Sequence, residues 1–317
     1  MEVSIVIPVY NEDESLPELC SWIERVMQEN GLSYEVILVD DGSTDRSWEV
    51  ITGLRRNNPH MKGIKFQRNY GKSAALNEGF KAARGEVVIT MDADMQDSPD
   101  EIPELRRMIL EGQYDMVSGW KKLRHDPISK TVPSKFFNWA TRKVSKIPLH
   151  DFNCGLKAYR KKVVKGIEVY GEMHRYIPVI AKWSGFKKIG EKVVQHRARK
   201  YGYTKFGGLG RGLKGFLDLA SITFVGKYGK RPMHFFGPLG VLSFVIGFFG
   251  WVYLVVSKLA HMSNFSLTNK PWFYITLTAM VIGSQLFLTG FVAELISRNS
   301  TARNSYLIEE KLGLDNA

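Results

Sequence analysis

Two stretches of this 317-residue chain contain no Asp, Glu, Lys or Arg: 26 residues between Arg231 and Lys258, and 23 between Lys270 and Glu294. A helix needs about 20 apolar residues to cross the hydrocarbon of a bilayer, with its backbone polar groups satisfied internally. Both stretches meet that length, so two membrane-spanning helices are expected at about 233–257 and 272–296. Two buried core helices are the less favoured alternative. Lys227, Lys230 and Arg231 precede the first span and Arg298 and Arg303 follow the second, whereas the short joining segment is bounded by Lys258 and Lys270 alone. The positive-inside bias then puts both ends of the chain in the cytoplasm, as a multi-pass protein of the cell membrane. Glu294 stands one turn before Arg298, as in an i,i+4 pair. Gly237, Gly240, Gly247 and Gly250 would let the spans pack closely, and a homo-oligomer stays open.

The formal charge of +12 is confined to two windows. Lys121 to Lys146 holds eight Lys/Arg against Asp126, and Arg197 to Arg231 holds nine against Asp218, so the rest of the chain is net negative by 3. The second window runs into the first apolar stretch, which favours a lipid bilayer over nucleic acid as the polyanionic partner. Cys20 and Cys154 are too few for a disulfide framework or a zinc site, and a reduced compartment fits them. No basic region followed by an apolar stretch and cleavage site opens the sequence, so no secretion signal is expected.

Upstream, apolar β-branched runs alternate with helical patterns. Strands are expected at Val3 to Val9, Glu35 to Val39, Gly63 to Gln67, Glu86 to Met91 and Asp115 to Ser118. The helix after the first strand has Asn11 with Glu14 as its cap; others cover Ser43 to Asn57, Lys72 to Arg84 and Pro99 to Gly112, the last opened by a Ser98 capping box. Weaker signals place strands at Gly155 to Tyr159 and Lys188 to His196, a helix near His174 to Trp183, and an interfacial amphipathic segment at 207–231. The fold class is α/β: a mainly parallel sheet with flanking helices, whose ligands bind beyond the carboxyl ends of the strands.

Two of those ends carry acids. Val36 to Val39 runs into Asp40-Asp41-Gly42-Ser43, and Val87 to Met91 into Asp92-Ala93-Asp94-Met95-Gln96. Asp92, Asp94 and the Gln96 amide are hard oxygen ligands suited to Mg²⁺ or Mn²⁺, which could neutralise a diphosphate. A solvated acidic loop and an ordinary Asp-Gly-Ser turn are the bland alternatives.

Four segments together resemble glycosyltransferase family two, of the GT-A fold: Ser4-Ile5-Val6-Ile7-Pro8-Val9-Tyr10-Asn11-Glu12, Val39-Asp40-Asp41-Gly42-Ser43-Thr44-Asp45, Arg68-Asn69-Tyr70-Gly71-Lys72 and Met91-Asp92-Ala93-Asp94-Met95-Gln96-Asp97. Gln96 after the D-x-D, Asp151-x-x-x-Gly155 and the two spans look like its polyprenyl- and dolichyl-phosphate sugar synthases. The resemblance implies that Pro8, Tyr10, Glu12, Asp40 and Asp41 surround the nucleotide, that Lys72 and Asp92 approach the donor, and that Asp92, Asp94 and Gln96 hold the metal. It implies acceptor-phosphate contacts at Lys121, in Gly119-Trp120-Lys121, and at Lys130 with Ser134. Lysine stands at both places for the family's arginine and lacks its bidentate fork. Arg199 and Lys205 would grip phosphate from the stretch Arg199 to Phe206, which has Thr204 for the family's Ser and Phe206 for its Tyr.

The implied activity is inverting transfer of a sugar from a nucleotide-sugar to a polyprenyl phosphate, with a UDP-sugar the favoured donor and GDP-mannose the other. The catalytic residues would be Asp92, Asp94 and Asp151. A phosphate monoester with a second pKa of about 6 needs no general base, so Asp151 is read as orienting a ligand, with a structural cap and true base catalysis left open. The implied layout is a catalytic domain at 1–206, the interfacial segment, the spans within 232–298 and a cytoplasmic tail at 299–317. Competing readings are a family-two enzyme using a hydroxyl acceptor, a polysaccharide synthase and a non-catalytic membrane scaffold. Gln195-His196-Arg197-Ala198-Arg199 is not the Q-x-x-R-W of a processive synthase, and Gly210-x-Gly212-x-x-Gly215 follows no convincing strand for a dinucleotide site.

Overall fold

The computed structural model describes residues 1–122, 138–197, 220–221, 223–229, 231–260 and 266–299. The chain divides into two compact units, Met1–Ala220 and Ser221–Ala317.

In the first unit, β1 (Val3–Val9), α1 (Leu16–Glu29), β2 (Tyr34–Asp40), α2 (Ser47–Asn57), β3 (Met61–Lys65), α3 (Lys72–Ala82) and β4 (Val87–Thr90) follow the expected alternation. A 3₁₀ turn (Pro99–Glu101), α4 (Ile102–Leu110) and β5 (Met116–Trp120) come next. After them stand α5 at 138–145, β6 (Lys157–Arg160), α6 (Lys161–Gly166), a second 3₁₀ turn (Met173–Tyr176), α7 (Ile177–Trp183) and β7 (Ile189–Val193). The sheet order is β3-β2-β1-β4-β6-β5-β7. β1 and β2 are apolar on both faces because helices cover both sides. Val3, Ile5 and Ile7 join a core with Leu16, Leu19 and Ile23 of α1, while Val6 joins Leu76 and Phe80 of α3.

The sheet is mainly parallel, with β6 running against both β4 and β5. Its reversal pairs Lys157, the first residue of β6, with Thr90, the last of β4. The start of β6 therefore lies at the edge where β1, β2 and β4 end.

Several local expectations shift. Asn11 does not cap α1: it sits at φ 53° and its side-chain oxygen accepts the Thr44 amide at 2.8 Å, tying the end of β1 to that of β2. The Ser98 hydroxyl donates to Asp100 at 3.1 Å instead of capping α4, which begins after a 3₁₀ turn. β3 lies two residues earlier than expected, because Met61 is the residue that enters the core.

Glu35 is a buried acid that the strand pattern passed over. Its carboxylate accepts the Ser4 hydroxyl at 2.5 Å and the Arg84 amide at 2.8 Å, and pairs with Lys62. Burial alone would raise its pKa, but these partners hold it below the ordinary glutamate range.

In the second unit, helical residues at 223–228 (α8) precede α9 (Met233–Ala260) and α10 (Pro271–Asn299). Both long helices are of spanning length, with mean hydropathy 2.3 and 1.7. Their glycines set the approach: a Cβ on Gly283 would stand 2.5 Å from the Phe244 amide nitrogen, and one on Gly247 2.6 Å from the Thr276 carbonyl. The Ser243 hydroxyl donates across the pair to the Ala279 carbonyl at 2.9 Å.

Glu35→Gln is expected to destabilise the chain by about 2 kcal/mol near neutrality, the scale of hydrogen bonds to a charged group. Because the folded pKa is depressed, this difference is complete above the ordinary glutamate range and shrinks as pH falls through the lower folded value. Denaturant titrations of wild type and variant in detergent, across pH, measure it.

Candidate active site

The site is built where β1, β2 and β4 end. Pro8 lies in β1 and lines a cleft with Lys72, Thr90, Asp92, Asn153, Gly155, Lys157, His174 and Arg175. Tyr10 and Glu12 follow on the loop, where the Glu12 amide donates to the Ser47 hydroxyl at 2.9 Å.

The two acids ending β2 have different surroundings. Asp41 accepts the Tyr70 amide at 2.7 Å and the Gly71 amide at 2.9 Å, so it holds the loop leading to Lys72. Burial nonetheless pushes its pKa up. Asp40 is fully buried; one carboxylate oxygen accepts the Ser43 amide at 3.0 Å, and the other has no hydrogen-bond partner among the described residues. Gly42, at φ 70°, lets this turn pass the Arg68–Asn69 backbone, where a Cβ would meet the Arg68 carbonyl carbon at 2.4 Å.

Lys72 opens α3 and pairs with the Asp92 carboxylate. Burial would raise the Asp92 pKa, but the charges of Lys72, Lys121 and Lys157 outweigh it and hold it at about 2. Asp94 is buried and accepts the Gln96 amide at 3.2 Å, a turn that places Met95 at φ 62° with its side chain in the core. A non-glycine residue held there marks local strain of the kind found at functional sites. The Gln96 side-chain nitrogen reaches the Arg197 carbonyl at 3.5 Å. Lys121 pairs with Asp97 at 2.8 Å; burial would lower its pKa, but Asp97 and Asp92 raise it.

Asp151, 1% exposed, is not among the cleft-lining residues. Its carboxylate accepts the Asn153 amide at 3.0 Å, and its own amide donates to Glu191 at 3.0 Å. Glu191 also accepts the His150 amide at 2.7 Å and pairs with the His150 ring, which stacks on Trp120. Lys130, Ser134, Arg199 and Lys205 lie outside the described residues, as do most of 207–231 and all but the first residue of the 299–317 tail.

The sequence pattern of Glycosyl transferase family 2 matches residues 4–167. The chain belongs to this family. It is 33% identical over 316 residues to dodecaprenyl-phosphate galacturonate synthase of Rhizobium johnstonii, covering 98% of this chain and 93% of that one. It is also 33% identical over 312 residues to undecaprenyl-phosphate 4-deoxy-4-formamido-L-arabinose transferase of Pseudomonas aeruginosa, covering 97% and 89%. In fold it is similar to glucosyl-3-phosphoglycerate synthase of Mycobacterium tuberculosis. The UDP complex superposes with TM-score 0.55 at 17% identity over 72% of this chain and 82% of that one. The complex with Mn²⁺ and UDP-glucose gives 0.52 at 17% identity, over 71% and 78%.

Sequence reasoning passed over several groups in the cleft of this glycosyltransferase. Lys157 is 4% exposed and donates to the Cys154 carbonyl; burial pushes its ammonium pKa down. A lysine between Leu156 and Ala158 in an apolar run was the available signal. His174 accepts no charge: burial, with Lys72 nearby, holds it well below the ordinary histidine value. Its ring Nδ1 lies 3.1 Å from the Ser73 hydroxyl, which also accepts the His174 amide at 3.0 Å. Burial pushes the Cys154 thiol up to about 12, so it stays neutral. Gly155 makes room for Asp92, since a Cβ there would stand 2.5 Å from its carboxylate oxygen.

Gly155→Ala is therefore expected to displace the Asp92 carboxylate and lower kcat/KM by about 100-fold, the scale of a misplacement near 1 Å, with only a small change in Tm. Steady-state kinetics beside thermal unfolding checks it.

Proposed function

We propose that this glycosyltransferase moves a sugar from a nucleotide-sugar to a polyprenyl phosphate with inversion at the anomeric carbon. The observation that carries the reading is the ionised Asp92 carboxylate, surrounded by Lys72, Lys121 and Lys157 at the end of β4, in a chain with two helices of membrane-spanning length. The near full-length likeness to two polyprenyl-phosphate sugar transferases supports the same acceptor. A UDP-sugar is the favoured donor and GDP-mannose the other. Pro8, Tyr10, Glu12 and Asp40 surround the nucleotide base and ribose, while Asp41 keeps the loop in place. The first 206 residues form the catalytic domain on the cytoplasmic side, with both termini there.

The donor set fits a divalent cation, Mg²⁺ or Mn²⁺. Among the described residues no group of three or more His, Cys, Asp or Glu is arranged to hold one, yet Mg²⁺ needs only one or two carboxylates when substrate phosphates complete its shell. Asp92, Asp94 and the Gln96 carbonyl oxygen are those ligands. Lys72, Lys121 and Lys157 already balance Asp92, Asp94 and Asp97 in formal charge, so an added diphosphate brings uncompensated negative charge. A cation held there would supply that compensation and stabilise the departing diphosphate. A mycobacterial synthase of similar fold, solved with Mn²⁺ and UDP-glucose, supports a divalent cation.

In the reaction an oxygen of the acceptor phosphate forms a bond to the anomeric carbon. The bond from that carbon to the nucleoside diphosphate breaks, and its electron pair leaves with the diphosphate. Lys72, at the N-terminus of α3, stabilises the charge that develops there. The phosphate is largely ionised near neutrality, so no residue has to take a proton from it. Asp151 serves as a cap that shapes the Asp151–Gly155 turn.

Radiolabelled nucleotide-sugar should pass to organic-extractable lipid in membranes containing the chain, and the signal should vanish with chelator and in Asp94→Ala. Full activity of that variant in chelator overturns the metal assignment; no transfer from any donor favours a non-catalytic scaffold. Since Asp92 titrates near 2, the acid limb of kcat/KM for the acceptor should follow the acceptor phosphate. It should be flat above about pH 6 and fall as pH drops below that value. Asp151→Asn keeps the oxygen that accepts the Asn153 amide and should leave this profile unmoved; a new, steep acid limb in that variant would establish base catalysis.

A further inference from the structure

Lys72 opens α3 and pairs with Asp92, and in the proposed reaction its ammonium also meets the departing diphosphate. A lysine carries its charge on a flexible four-carbon stem, so the reach of the ammonium is set by where the backbone holds the residue. On one side that backbone is fixed by Asp41, whose carboxylate accepts the Tyr70 and Gly71 amides. On the other side stands Ser73, fully buried, against the 3₁₀ turn before α7. Its hydroxyl accepts the His174 amide at 3.0 Å and lies 3.1 Å from His174 Nδ1.

The ring contact has a definite direction. A hydroxyl that accepts an amide proton keeps its own proton to give. The His174 ring is neutral, because burial and the charges of Lys72, Arg175 and Lys157 hold its pKa well below the ordinary histidine value. With the ring proton on Nε2, Nδ1 accepts from the Ser73 hydroxyl, and two hydrogen bonds join the pair. Two further ties hold α3 to the same stretch of chain. The Asn77 side-chain oxygen accepts the Val169 amide at 3.2 Å, and the Lys165 ammonium donates to the Phe80 and Lys81 carbonyls at 2.8 and 2.6 Å. Those ties, with Leu76 and Phe80 in the core, secure the middle and the far end of the helix. The Ser73–His174 pair is the tie at the end that carries Lys72.

We infer that Ser73 and His174 are positioning residues for the transfer, their paired hydrogen bonds fixing the first turn of α3 so that Lys72 meets the departing diphosphate. This rests on the transfer reaction proposed above. Neither residue has to touch a substrate for this, since a misplacement of about 1 Å at a reacting group lowers the rate by up to about 100-fold.

The test uses the full-length chain in detergent with a polyprenyl phosphate, a divalent cation and a radiolabelled nucleotide-sugar that the wild type turns over. Ser73→Ala removes both hydrogen bonds at nearly the same volume; it is expected to lower kcat by about tenfold or more and to change KM for the lipid phosphate by less than about twofold. His174→Asn sets an amide oxygen where Nδ1 stands and should keep kcat within about threefold of wild type, whereas His174→Gln reaches only the Nε2 position and should fall with Ser73→Ala. The deciding readout is the Lys72→Met background. There the addition of Ser73→Ala should lower kcat by less than about twofold more, because the group it positions is already gone. Losses that multiply in the double variant overturn the inference, and so does wild-type kcat in Ser73→Ala. If Ser73→Ala does not fold, the two His174 variants decide, and equal losses in both overturn it. A wild-type chain that makes no lipid-linked sugar from any donor overturns the transfer reaction and this role with it, an outcome distinct from an active wild type whose variants match it.

Discussion

The rest of the first unit is arranged around keeping the Asp92 carboxylate ionised in a partly enclosed place. Burial acts against its charge, and three lysines from different parts of the chain reverse that: Lys72 from the start of α3, Lys121 after β5 and Lys157 from β6. Each is itself held by the fold. Gly71, at φ 95°, ends a loop secured to Asp41 and starts α3 at Lys72. Lys121 is paired with Asp97, and Lys157 is bonded to the Cys154 carbonyl. Removing one partner of such a buried set costs more than the pair contributes, because the remaining charge is left uncompensated. Asp92 and Asp97 are thus balanced by lysines supplied from three separate parts of the chain.

The reversal of β6 is what makes this arrangement reachable. A parallel strand next to β4 would bring its C-terminal end to the site edge. Running antiparallel, β6 brings its beginning there instead, so the turn from Asp151 to Gly155 and the first strand residue, Lys157, face the end of β4. Gly155 is then required by contact: the Asp92 carboxylate occupies the space a side chain would need.

Much of this frame was legible in the sequence. The apolar β-branched runs indicated the strands, and strand ends followed by Asp40 and Asp92 indicated the site edge, because ligands of a parallel sheet bind beyond the carboxyl ends of its strands. Charge-free lengths gave the two long helices. What sequence could not supply was the direction of β6, set by a long-range pairing with no local signature, and hence the presence of Lys157 beside Asp92. His174 and Arg175 were invisible for the same reason: they reach the cleft by tertiary packing of the 3₁₀ turn before α7, His174 lying 101 positions beyond its partner Ser73. Asn11 misled because one side-chain oxygen can cap a helix or tie two loops, and the neighbouring Thr44 amide decided for the second. Asp40 and Asp41 read alike as adjacent acids, yet only Asp41 ties down the loop, through the backbone amides of Tyr70 and Gly71.

The same separation of tasks bears on Asp151. In a site whose nucleophile carries its own negative charge, a general base would add repulsion to the approaching phosphate and remove no proton. The geometry is in keeping with that economy: the Asp151 carboxylate is turned to the Asn153 amide, and Glu191 secures the backbone of His150 and Asp151. Acid groups near the reaction are then either neutralised by lysine, as Asp92 and Asp97 are, or withdrawn into a turn.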